Sequence, residues 1–239
     1  MNNYYEGFVS SYQYKDIIPR ACQDILPPGG QMVAWQFPDL ELCDWIFDYI
    51  LKQKKDGKLK QGHCYNLTEG GRVNTDTKNS WDLPFRMDEV RTERRHAVDE
   101  FMSKGVYVMN WIEHCLLEYK KLNPQLINEP IAFENGLNQY QLYEPGQGFY
   151  VQHCERKPGV SLNGLTREIA FMMYLTDIDE YDDKGTPIGG TIWPRQNITT
   201  PCRKGLTVFW PAGLDYLHAG SVSYKHTKLV TTGWIGTVH

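Results

Sequence analysis

His153 and Glu155 stand two residues apart in the run FYVQHCE, whose aromatic and β-branched residues read as a strand. Side chains of a strand alternate between faces, so an i, i+2 pair points one way and Cys154 between them points the other. The histidine and the glutamate can therefore hold one metal ion together, and the neighbours His153 and Cys154 cannot. The same geometry weakens a zinc reading of the His-Cys dipeptides at 63–64, 114–115 and 153–154. Alone, the pair carries little weight, because a chain with 7 His and 29 Asp+Glu is expected to contain about one such spacing by chance. The C-terminal half raises it. His218 ends a strand-like run and turn, and Lys228 enters a second alternating run, LVTTGWI. Two histidines and a carboxylate from different strands make a facial triad, which leaves positions open for a chelating cosubstrate and O2 and so suits Fe(II). A lysine in an apolar barrel mouth needs an anion beside it, because an unpaired buried charge is costly. A dicarboxylate cosubstrate would supply one.

These residues must be carried by a scaffold, and the chain divides into two textures. In PDLELCDWIFDYILKQKKDG, Leu42, Trp45, Ile46, Tyr49 and Ile50 recur at helical spacing, acidic residues open the segment, and Lys52, Lys54 and Lys55 close it before Gly57. That charge order complements the helix dipole and predicts a helix. Residues 58–87 carry Gly-Gly, Asn and Pro punctuation and predict a hairpin or extended loop. From Asp88 to Leu122 a stripe of Val108, Trp111, Ile112, Cys115, Leu116, Tyr119 and Leu122 predicts helix again, with Gly105 a candidate break. After Pro130 the chain becomes short β-branched and aromatic runs separated by Gly/Pro/Asp turns: QYQLYEP, FYVQHCE, IAFMMYLTDI, GGTIWP, ITTP, GLTVFWP and KLVTTGWIGTV. Such spacing predicts an antiparallel sandwich or barrel with helices packed on it. No linker, internal repeat or low-complexity tract divides the chain.

Composition excludes several classes. The 239 residues are 41% hydrophobic and 23% charged, an ordinary globular balance that excludes disorder and collagen-like repeats. No apolar run reaches the roughly 18 residues of a membrane span. A net charge of −4 argues against a nucleic-acid partner. The six cysteines, spread without a CxxC pair, predict free thiols rather than a disulfide or zinc framework. The first residues lack the basic and apolar regions of a secretory leader, so a cytoplasmic location is expected.

The motifs from about Gln139 to Trp234 resemble those of the 2-oxoglutarate/Fe(II)-dependent oxygenases of the prolyl 4-hydroxylase type. YEPGQGFYVQHCE, REIAFMMYLTDIDE, GGTIWP, RKGLTVFWPAG and LHAG follow in the family's order, then Lys228 and Trp234. The resemblance implies an α+β, mainly β fold, with a double-stranded β-helix (jelly-roll) core in 130–239 and N-terminal helical support and a lid segment in 1–129, all in one oxygenase domain. It implies His153, Glu155 and His218 as Fe(II) ligands, and Lys228 as partner of the distal carboxylate of 2-oxoglutarate. Tyr174 would hydrogen-bond the same carboxylate, Tyr143 would point toward the cosubstrate, and Trp234 would wall the pocket near the metal. The implied reaction couples decarboxylation of 2-oxoglutarate, giving succinate and CO2, to hydroxylation of a prolyl or other side chain of a protein or peptide, with ascorbate as an accessory reductant. Two departures stand out: the carboxylate is Glu155 where prolyl hydroxylases mostly use Asp, and Gly189-Gly190 is followed by TIWP without an acidic residue. Retention of a carboxylate argues against halogenation. Residues 62–87 and 155–166 are the candidate lids. Two other readings stay open: the same chemistry on a small molecule or nucleobase, and a cupin-like metal-binding module without turnover.

Overall fold

The computed structural model describes residues 19–26, 30–66, 70–86, 100–156 and 165–238. The chain runs β1 (Val33–Gln36), α1 (Leu40–Lys55), β2 (Lys60–Gln61), β3 (His63–Asn66), β4 (Gly70–Val73), β5 (Trp81–Arg86) and α2 (Glu100–Leu122). It continues through β6 (Ile131–Tyr143), β7 (Leu165–Tyr174), β8 (Thr191–Trp193), β9 (Ile198–Thr200), β10 (Leu206–Pro211), β11 (Ala219–Gly220) and β12 (Lys228–Val238).

Seven strands form one antiparallel sheet in the order β1-β10-β7-β12-β6-β5-β2. A three-stranded sheet, β11-β8-β9, lies on it, and β3 and β4 make a separate hairpin. Both faces of the large sheet carry apolar clusters where other elements cover them. Its outer face carries Trp35, Phe171, Phe209 and Ile235, which pack with Ile46 and Ile50 of α1 and Val108, Trp111 and Ile112 of α2. The inner face meets the small sheet through Tyr174, Val208, Trp210 and Val230 against Trp193. The result is a mainly β, jelly-roll-like core braced by α1 and α2.

The helices begin and end as their sequences dictate. Asp39 caps α1 by accepting from the Leu42 N–H at 2.9 Å, and Lys52, Lys54 and Lys55 occupy its last turn. Trp111 of α2 donates its indole hydrogen to Thr207 Oγ1 at 2.9 Å, tying the helix to β10. Gly105 does not break α2. It is a contact point, since a Cβ there would overlap the ring of Phe85 on β5.

Two further expectations need correction. The run FYVQHCE is not a continuous strand; it is extended chain held by isolated bridges, Lys78 with Phe149 and His153 with His218. The segment before residue 130 is not only support, for β1, β2 and β5 are integral strands of the large sheet. Of the candidate lids, 62–87 contains the β3–β4 hairpin and β5, while 157–164 lies outside the described residues, as do 27–29 and 87–99. No helix among the described residues is long and apolar enough to cross a membrane.

Candidate active site

The large sheet delivers side chains to one cavity by strand alternation. Along β12, Lys228, Val230, Thr232 and Trp234 are every second residue, and all line it. On the adjacent β6, Tyr143, Gln141 and Gln139 lie opposite the first three of these and line it too. The cavity holds about 680 Å³, enough for a small cosubstrate and an entering side chain.

His153, Glu155 and His218 converge at one end of this cavity, their ligand atoms all within 4.8 Å of one another. The two histidine segments hold each other directly: the His153 N–H donates to the His218 carbonyl at 3.0 Å, and the reverse bond is 2.9 Å. His153 Nδ1 lies 3.0 Å from the Val151 carbonyl and His218 Nδ1 3.0 Å from the Tyr216 carbonyl. A carbonyl can only accept, so Nδ1 carries a hydrogen on both rings and Nε2 is the atom that each ring turns inward. Those Nε2 atoms stand 3.6 and 3.3 Å from Glu155 Oε1. Burial opposes ionisation of Glu155, but the facing imidazoles outweigh it and hold the carboxyl well below its usual range.

The second oxygen of Glu155 is occupied. Trp234 donates its indole hydrogen to Oε2 at 2.7 Å, and the Arg167 guanidinium lies 3.6 Å over the Trp234 ring. Arg167 in turn donates to Glu134 at 2.6 Å and to the Glu155 carbonyl at 3.3 Å. Only Oε1 is left for a metal. Around the histidines, Phe149 stacks on His153 with ring centres 3.6 Å apart, and Trp210 meets His218 edge-on at 5.1 Å.

Lys228 is 7% exposed and sits with Nζ 5.0 Å from the Tyr143 ring centre. Burial lowers its pKa from the ordinary lysine value. Among the described residues no carboxylate comes within ion-pairing distance of it. Other cations on the cavity wall do have such partners: Lys78 with Asp82, Arg156 with Glu168 and Arg167 with Glu134.

Six of the seven residues singled out by sequence thus line the cavity. Tyr174 is the exception. It shares the inner face of the sheet, opposite Val230, but its hydroxyl is held at 2.8 Å by both Thr191 and Thr200 of the small sheet. It ties the two sheets together and does not line the cavity. Arg167, Phe149, Gln139 and Gln141 were missed by sequence reasoning as site residues. Arg167 and Phe149 lie inside motif blocks and Gln139 and Gln141 in the run QYQLYEP, but the roles of Arg167 and Gln139 depend on partners on other strands.

The donor set of two imidazoles and one carboxylate oxygen, with one side open to the cavity, fits a divalent first-row metal such as Fe(II). No known family profile matches the chain, and no curated protein matches it in sequence. Its fold is that of the prolyl 4-hydroxylases. The viral collagen prolyl hydroxylase of Paramecium bursaria Chlorella virus 1, in its 2-oxoglutarate complex, superposes with a TM-score of 0.58 at 20% identity, covering 88% of this chain and 98% of that one. A prolyl 4-hydroxylase of Pseudomonas putida gives 0.59 at 14% identity over 87% and 94%. The Trichoplax adhaerens prolyl hydroxylase, solved with a hypoxia-inducible-factor peptide, gives 0.60 at 14% identity over 87% and 84%.

Proposed function

We propose that the chain is a 2-oxoglutarate- and Fe(II)-dependent dioxygenase that hydroxylates a prolyl or other side chain of a protein or peptide, releasing succinate and CO2. The observation that carries this reading is the buried ammonium of Lys228, without a carboxylate partner among the described residues, on the wall of the cavity that holds the triad. A module that only bound metal would have no use for it, since a buried charge without a partner is destabilising. A dicarboxylate would neutralise it.

His153 and His218 would hold the metal through Nε2 and Glu155 through Oε1, with the ring tautomers already set by backbone carbonyls. Bound Fe(II) would supply the oxidative chemistry that protein side chains lack. Lys228 would orient the cosubstrate's far carboxylate so that its keto-acid end meets the metal. Trp210, Met172 and Val230 line the cavity and would keep water from the reacting atoms. The substrate is proposed as peptide because the fold's likeness extends to a prolyl hydroxylase solved with a bound peptide.

The test is an anaerobic titration with Fe(II) and 2-oxoglutarate, watching for the weak visible metal-to-ligand charge-transfer band. It is followed by succinate release with proline-containing peptides or free amino acids, with and without ascorbate. Absence of the band in reduced protein removes the cosubstrate. Equal succinate rates in wild type, His153→Ala and Lys228→Ala remove the residue assignments.

A further inference from the structure

Beyond the triad, a second set of buried ionisable groups lies at the cavity wall and takes no part in the chemistry above. Lys78 and Asp82 are 3% and 4% exposed, with Nζ 2.7 Å from Oδ2. Gly62 closes over them: a Cβ there would overlap Ser80 Oγ and lie 2.9 Å from Asp82 Oδ2. We propose that Asp82 is a positioning residue that fixes the direction of the Tyr143 hydroxyl, so that Tyr143 lends the pocket its ring face and withholds its hydrogen from the cosubstrate. This rests on the cosubstrate reading of the pocket.

The direction follows from donor and acceptor types. Paired with an ammonium, Asp82 is a carboxylate and can only accept. Gln139 Nε2 therefore donates to its Oδ2, at 2.9 Å. Gln139 is left with Oε1 toward Gln141, whose Nε2 donates across the longest link, 3.4 Å. Gln141 is left with Oε1 toward Tyr143, whose hydroxyl donates to it at 2.7 Å. The oxygen and nitrogen of an amide are alike in shape, but turning Gln139 over would set oxygen against the Asp82 carboxylate. Turning Gln141 alone would set it against Gln139 Oε1. One carboxylate thus polarises the whole row. Ser80 adds a second route. It lies beside the Tyr143 hydroxyl, and its own hydrogen is committed to Asp82 Oδ1 at 2.7 Å, so it too offers Tyr143 only lone pairs.

Tyr143 stands opposite Lys228 on the neighbouring strand, so its hydroxyl would be the natural second donor to a carboxylate arriving there. With its hydrogen drawn the other way, it contributes the negative face of its ring to the ammonium. The carboxylate would then depend on Lys228.

The test measures 2-oxoglutarate affinity of the anaerobic Fe(II) protein through the charge-transfer band, in a double-mutant cycle. Tyr143→Phe in the wild-type background is expected to weaken binding by no more than about twofold, whereas loss of a donated bond to a carboxylate would cost about tenfold. In a Lys78→Met, Asp82→Asn background the amide lets the row reverse and frees the hydroxyl. Tyr143→Phe should there cost about fivefold or more. Ser80→Ala with Gln141→Leu, which removes both acceptors and leaves the ion pair intact, should give the same difference if the first background does not fold. Equal effects of Tyr143→Phe in every background, or about a tenfold loss in the wild type, overturn the proposal. Lys228→Ala is run beside them: loss of binding supports the pocket assignment, and wild-type affinity overturns that assignment and this proposal with it.

Discussion

Trp234 holds one oxygen of Glu155 by a 2.7 Å hydrogen bond and leaves the other to face two histidine nitrogens. A glutamate has one more rotatable bond than an aspartate, and the indole fixes what that bond would loosen. Trp234→Phe keeps an aromatic ring beneath Arg167 but removes the donor. Affinity for a divalent metal should fall about tenfold, measured by equilibrium titration with Co(II) or Mn(II). Unchanged affinity would show that the indole does not orient the ligand.

Lys228 should trade stability for binding. Burial holds its folded-state pKa below the ordinary lysine value. Between the two values the unfolded chain binds more protons, so stability rises with pH across that window and is lowest below it. Lys228→Met should therefore stabilise the ligand-free protein at neutral pH by on the order of 1 kcal/mol, and flatten the rise on the alkaline side. Denaturant melts at several pH values would reveal this.

Tyr174 is expected to act on the fold. Tyr174→Phe strands two threonine hydroxyls between the sheets and should cost about 1–3 kcal/mol in chemical denaturation. Its 2-oxoglutarate affinity should match the wild type's; a large loss would return Tyr174 to the pocket.

Gly105→Ala should destabilise, even though alanine is the better helix former by about 1 kcal/mol. The added methyl meets the Phe85 ring, and overpacking of this kind costs about 1–3 kcal/mol. A higher melting temperature would show that the helix and ring part easily.

Much of this site could be read along the chain because its parts obey local rules. Alternation alone places Lys228 and Trp234 on one face of a strand, and it keeps His153 and Glu155 together even though their segment forms only isolated bridges. Gly105 was misjudged because a glycine in a helix looks like a break until the ring lying against it is known. The hydrogen bonds of Tyr174 were hidden for a related reason: they depend on two threonines brought close by the return of the small sheet. The Asp82 row was invisible in sequence, since Asp82 reaches Gln139 only through the pairing of β5 with β6.

The reciprocal backbone bonds between His153 and His218 carry one more consequence. The two imidazoles are stapled to each other by main chain, so an ion bound between them would not have to assemble its own nest. Stripping the protein with a chelator should leave its near-ultraviolet circular dichroism almost intact, and reloading should be quick and free of a refolding lag. A metal bound there would come and go with supply while the scaffold stays ready.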